Sequence, residues 1–163
     1  MFLLRLSWLI SLGISLIGFL IIGHFFTIQP DESVENGSLG FIGIIFVLPF
    51  LLLSIFTTFR YMLTLTRGAA DPFMKWLSIV GGFLLVGVLV YFSLKYKNDA
   101  LITSDGAISG GSSTILNLPK LNEYTYTIYF NFYTFALIHA VVGAIAAIVG
   151  LFKPESKKEE LPE

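Results

Sequence analysis

The sequence predicts an all-α integral membrane protein, a bundle of four transmembrane helices whose second outer loop has room for a small β-hairpin. Three observations predict it. Apolar residues make up 55% of the 163-residue chain and charged residues 13%, where a soluble domain carries ~25% charge. Four stretches, Leu6–Phe26, Ser38–Phe59, Trp76–Leu94 and Tyr124–Phe152, contain no Asp, Glu, Lys or Arg, and about 20 such residues suffice for a helix to cross ~30 Å of hydrocarbon. The cations are also segregated. Seven of them (Arg5, Arg60, Arg67, Lys75, Lys153, Lys157, Lys158) lie before span 1, between spans 2 and 3 or after span 4, against three (Lys95, Lys97, Lys120) in the other two loops. By the positive-inside rule that asymmetry puts both termini in the cytoplasm.

The same composition sets other classes aside. No Cys is present, the net charge is −1 and no basic block occurs, which argues against a disulfide scaffold and a nucleic-acid binder. A membrane barrel would show many ~10-residue alternating segments, and these are missing. The expected organisation is one membrane domain, 1–152, with spans at about 6–26, 38–59, 74–94 and 128–152. A charged cytoplasmic tail, 153–163, follows it.

Span 1 follows Arg5 and could be taken for a cleavable signal. Its apolar run is about twice a signal core of ~7–15 residues, and Ile22-Gly23-His24-Phe25-Phe26 offers no small-x-small cleavage site, so an uncleaved span is expected. The acidic outer loop 27–37 ends in Asn36-Gly37-Ser38, a glycosylation-like triplet of little weight so close to the membrane.

Span 2 contains Pro49, which removes one intrahelical hydrogen bond and suits a static kink better than a gating hinge. Arg60–Arg67 reads as a helical extension beyond the bilayer. Gly68 is placed to take the left-handed C-terminal position, and Asp71-Pro72 to cap span 3. Spans 2 and 3 are therefore expected to form a tight antiparallel hairpin. Arg60 and Arg67 read as topology anchors in preference to a headgroup or partner contact.

The outer loop 95–123 carries a turn signal at Ser104-Asp105-Gly106 between Ala100–Thr103 and Ala107–Ser109, the basis of the hairpin expectation. Tyr124, Tyr126, Tyr129, Phe130, Phe132, Tyr133 and Phe135 precede and open span 4. An interfacial belt is the favoured reading of these rings, a ligand-stacking platform the other. With cytoplasmic ends and a larger second outer loop, the layout is similar to that of tetraspanins in topology alone, since that family's outer loop depends on cysteines.

On span 4, Ala136, Ala140, Gly143, Ala147 and Gly150 recur at steps of four, three, four and three, so they share a ~80° arc of the helix. Small residues on one face let membrane helices approach closely, and span 4 is expected at the centre of the bundle or at a self-association face. Span 1 repeats the pattern weakly in Ser7, Ser11, Ser15 and Gly18, and span 3 in Gly81, Gly82 and Gly87.

His139, at mid-depth beside this face, is the titratable group that a membrane interior singles out for function. Its readings are a proton relay, a metal or haem ligand, and a neutral ring hydrogen-bonded to a Ser or Thr, of which the last is favoured. Asn131 is the other polar side chain of note at depth. His24, at the outer end of span 1 and ~10–15 Å above His139 by helix rise, makes a poor haem partner for it, and no set of three or four zinc ligands is available. No phosphate loop, nucleophile elbow or paired carboxylates occur.

The expected function is that of a small non-catalytic protein of the plasma membrane, bacterial by preference. It would be an accessory, assembly or regulatory subunit without cofactor, its partners the lipid bilayer and other membrane subunits or itself. The alternative is a small transporter or channel, homo-oligomeric, that uses His139.

Overall fold

A computed structural model describes residues 2–26, 39–69, 71–103, 121 and 125–152. They form α1 (Phe2–Phe25), α2 (Leu39–Gly68), α3 (Pro72–Thr103), the single turn α4 (Tyr126–Tyr129) and α5 (Phe132–Phe152). Four segments, Phe2–Phe25, Ile42–Gly68, Pro72–Ala100 and Tyr126–Phe152, are long and apolar enough to cross a membrane. Leu, Ile, Val and Phe supply their bulk, and at this length the helix is the spanning form that satisfies its own backbone.

Side-chain contacts fix the directions. Along α1 and α2, Trp8 meets Thr58 and Tyr61, Ser11 meets Thr57, and Gly18 meets Val47, so the two helices run antiparallel for most of their length. Helix α5 runs parallel to α2, with His139 beside Ser54, Gly143 beside Met62 and Gly150 beside Thr66. Helix α3 runs antiparallel to α5, Gly82 facing Ala144 and Phe92 facing Tyr133. Phe2, Gly68, Pro72 and Phe152 consequently share one end of the bundle.

Helices α2 and α3 are joined by a short turn yet touch each other only sparsely, because α5 lies between them. The expected hairpin of spans 2 and 3 is thus replaced by an α1–α2–α5–α3 order. The reason is steric: Gly143 and Gly150 on α5 let α2 come close, and Gly82 on α3 lets Ala144 in from the other side. Helix α5 is the most enclosed of the four long helices, and α3, packed chiefly on α5, is the least.

Other boundaries also differ from expectation. Helix α3 continues past Leu94 through Thr103, so Ala100–Thr103 is helical where a strand was expected, and the outer loop begins nine residues later. No strand occurs among the described residues, and Ser104–Ser109, the rest of the expected hairpin, lies outside them. Residues 95–101 contain no Gly or Pro, so α3 extends by continuing an existing helix, which costs far less than starting a new element.

Gly68 closes α2 as a helical residue with no left-handed φ. Asp71 does cap α3, its Oδ1 accepting the Phe73 N–H at 2.9 Å. Pro49 sits inside α2 without ending it, on the exposed side.

Candidate functional site

The span-4 region is not one helix but two, α4 and α5, broken at Phe130–Asn131. The break follows from one side chain. Asn131 Oδ1 accepts the Thr134 N–H at 3.0 Å and the Thr134 hydroxyl at 3.3 Å, an N-cap for α5. Its Nδ2 donates back to the carbonyls of Thr127 (3.2 Å) and Ile128 (2.8 Å), which belong to α4. An amide has two donor hydrogens and one oxygen with two lone pairs, and all are in use. Asn131, expected beside His139 in a polar site, stands at a joint between two helices, with its side-chain hydrogen-bonding groups all engaged.

The joint rests on α1. A Cβ added to Gly23 would run into the carbonyl oxygen of Phe130, so only glycine lets the backbone of the break lie against α1. Phe19 completes the seat, its ring 4.9 Å from Phe130 and 5.5 Å from Phe135. On the opposite side Tyr133 stacks on Phe92 at 5.8 Å, while Tyr96 Oη lies 3.3 Å from Thr127 Oγ1. Several of the rings expected in an interfacial belt thus pack between helices. Among the described rings of that set, Tyr126 and Phe135 are buried and Phe132 is exposed.

His139 lies two turns further along α5, 7% exposed, beneath the ring of Phe135 at 4.2 Å. Its Nδ1 is 2.8 Å from the Phe135 carbonyl and its Nε2 2.9 Å from Ser54 Oγ on α2. A carbonyl can only accept, so Nδ1 carries a proton. In the neutral ring Nε2 is then the acceptor and Ser54 the donor. Ser54 Oγ is also 2.8 Å from the Leu51 carbonyl, and its single hydroxyl hydrogen is shared between the two.

Next to this pair a line of hydroxyls runs along the α1–α2 contact. Ser11 Oγ and Thr57 Oγ1 are 2.9 Å apart, and Trp8 Nε1 donates to Thr58 Oγ1 at 2.9 Å. Ser15, wholly buried, donates to the Ser11 carbonyl at 2.7 Å. Tyr61 stacks on Trp8 with ring centroids 4.5 Å apart. Sequence reasoning found Ser11 and Ser15 as small residues but missed their partners. The available signal was the spacing of Ser54, Thr57 and Thr58, which puts three hydroxyls on one face of α2.

No protein-family model matches the chain, and neither curated proteins nor solved structures yield a match to it.

Of the five small residues singled out on α5, Gly143, Ala147 and Gly150 are buried and Ala136 and Ala140 half-buried. The two glycines contact α2 unequally. A Cβ on Gly150 would lie 2.9 Å from Thr66 Cβ, whereas one on Gly143 would meet Met62 Cγ at an ordinary 3.5 Å. His24 is exposed at the end of α1, edge-on to Phe25 at 5.1 Å. Among the described residues no three His, Asp or Glu side chains are grouped to hold a metal ion.

Proposed function

We propose that this chain is a small non-catalytic multi-pass protein of the plasma membrane, bacterial by preference. It acts as an accessory, assembly or regulatory subunit, with both termini in the cytoplasm. One observation carries the reading: the serine, threonine, asparagine and histidine side chains buried along the α1–α2 and α2–α5 contacts and at the α4–α5 joint are spent on one another and on the backbone. Both ring nitrogens of His139 are engaged, all of Asn131 is engaged, and the Ser11, Ser15, Ser54 and Thr57 hydroxyls close local bonds. A site that binds or relays a substrate needs convergent polar groups with capacity to spare.

The outward surface supports a life among apolar neighbours. Phe46, Phe56, Phe83, Leu84 and Ile145 all point away from the bundle, and in water such a surface would be an aggregation liability. Helix α3, fastened chiefly to α5, leaves most of its circumference for lipid or another subunit. The seven-to-three distribution of Lys and Arg supports the cytoplasmic assignment of the Gly68–Pro72 turn.

The test is extraction in mild detergent and native sizing, combined with reconstitution of the purified chain into liposomes. A complex far larger than the 18.1 kDa chain, together with liposomes impermeable to protons and small cations, is the expected pair of results. Flux that disappears on His139→Ala would overturn the reading in favour of a transporter. The break between α4 and α5 favours that rival, since interrupted membrane helices frame the substrate sites of many transporters. Reporter tags on the two termini that report opposite sides would refute the topology.

A further inference from the structure

We infer that the outward face of α3 is a dimer interface, on which α3 of a second copy of this chain lies parallel in a left-handed coiled coil. The inward face is fixed by residues seven apart. Gly82 faces Ala144, Leu89 is buried, and Tyr96 Oη lies beside Thr127 Oγ1. On the opposite side of the helix stand two other seven-residue rows. Leu77, Leu84, Tyr91 and Asn98 form one, Val80, Gly87 and Leu94 the other, and all of them are exposed. Their alternating steps of three and four make them the a and d positions of a heptad, the seam along which two helices supercoil left-handedly. Gly82, Leu89 and Tyr96 then occupy the f position, farthest from that seam.

Lipid accounts for the cytoplasmic part of this face but not for its outer end. The uncharged run Trp76–Leu94 already covers about 28 Å of helix, close to the full hydrocarbon thickness. Helix α3 continues through Thr103, past Lys95, Lys97 and Asp99, so its last turns stand among headgroups and water. The seam continues there with Asn98 and, by register, Leu101. Asparagine at a single a position selects a two-stranded pair in one register, because its amide is matched by a second asparagine at the same level. The inference rests on the membrane topology proposed above: a multi-pass chain has one orientation, so α3 helices of two copies run parallel. A two-fold axis along the membrane normal then sets Asn98 opposite Asn98. A helix of another protein would have to carry the same residue at the same height.

Space and charge permit the approach. A Cβ on Gly81 or Gly87 would meet no atom within 4 Å, so packing inside one copy explains neither glycine. Each costs about 1 kcal/mol against alanine in a helix interior, and between two copies both let the backbones come close. By register Lys95 stands across from Val90 and Lys97 across from Ile102, so no like charges oppose each other.

The experiment exploits the absence of cysteine from the chain. Single-cysteine variants of the full chain are oxidised mildly in native membranes. Leu94→Cys and Asn98→Cys are expected to form disulfide-linked dimers, since facing a and d positions bring Cα atoms within the ~7 Å that a disulfide spans. Asp99→Cys, exposed but off the seam, should give less than about a tenth as much. Gly87→Ile, whose added atoms start in open space within one copy, should weaken dimerisation in detergent about tenfold. Asn98→Leu combined with Leu94→Cys should keep cross-linking and add species above the dimer, because register and strand number are no longer fixed. Equal cross-linking at all three cysteine positions would mean random collision and overturn the interface. So would a Gly87→Ile dimer of unchanged strength, or disulfides formed with a different protein in place of a second copy. Terminal tags on the same variants separate two failures. No cross-linking with both termini on one side sinks the dimer alone, whereas termini on opposite sides sink the topology beneath it.

Discussion

Gly143 and Gly150 occupy equivalent places in the sequence pattern, and the structure predicts opposite consequences for the same substitution. Gly→Ala inside a helix gains about 1 kcal/mol from propensity if the methyl group has room. At Gly143 the new Cβ would sit 3.5 Å from Met62 Cγ and 3.7 Å from its Cε, ordinary contact with a flexible side chain. Gly143→Ala should therefore stabilise the protein by roughly 0.5–1 kcal/mol. At Gly150 the Cβ would lie 2.9 Å from Thr66 Cβ and 3.1 Å from Cγ2.

Thr66 cannot yield cheaply, because it is β-branched, buried and hydrogen-bonded to Met62. Overpacking of that kind costs ~1–3 kcal/mol, which exceeds the propensity gain. Gly150→Ala should be destabilising by about 1 kcal/mol net, and Gly150→Leu by more. Gly23→Ala should be the worst single methyl, since it meets the Phe130 backbone and would force the α4–α5 joint off α1. Its loss is expected at ~3 kcal/mol. Unfolding in detergent, followed by loss of helical circular dichroism, measures all four. If Gly143→Ala and Gly150→Ala prove equally harmful, or Gly23→Ala is silent, the close-approach argument is wrong.

Three further outcomes are expected. Asn131→Ala removes an N-cap and two carbonyl caps at once and should cost about 2–3 kcal/mol in the same assay, while Asn131→Ser recovers roughly 1 kcal/mol by restoring the N-cap alone. Histidine and serine form the only side-chain hydrogen bond between α2 and α5 among the described residues. A double-mutant cycle of His139→Phe and Ser54→Ala should yield a coupling of ~0.5–1.5 kcal/mol, and additivity would deny the bond. Trp8→Phe keeps the ring over Tyr61 but loses the donor to Thr58, so a loss near ~1 kcal/mol is expected, with Trp8→Ala clearly worse because the stacking goes too.

How far the amino-acid order alone reached is visible element by element. Four spans, the cap at Asp71 and a crowded face on the last span were legible, because each depends on local features: length of an uncharged run, a capping residue before a proline, the 3.6-residue helical period. The break at Asn131 was not legible. Nothing in Tyr126–Phe135 forbids one continuous helix, and the break becomes favourable only because Asn131 caps both sides of it and Gly23 of α1 makes room for the exposed carbonyl. Nor could the partner of His139 be read, since Ser54 lies 85 positions away in the chain and several other hydroxyls were equally available.

Apolar content, run lengths and the segregation of cations thus determined that the polypeptide makes four long helices suited to hydrocarbon, and those properties survive any rearrangement of the helices. Which helix neighbours which was decided by tertiary packing alone. Helices α2 and α3 are adjacent in the chain and apart in the bundle because side-chain volumes, matched across Gly150–Thr66 and Gly82–Ala144, let α5 in between. Such matching is a property of pairs of surfaces, and the sequence carries both members of each pair without stating which meets which.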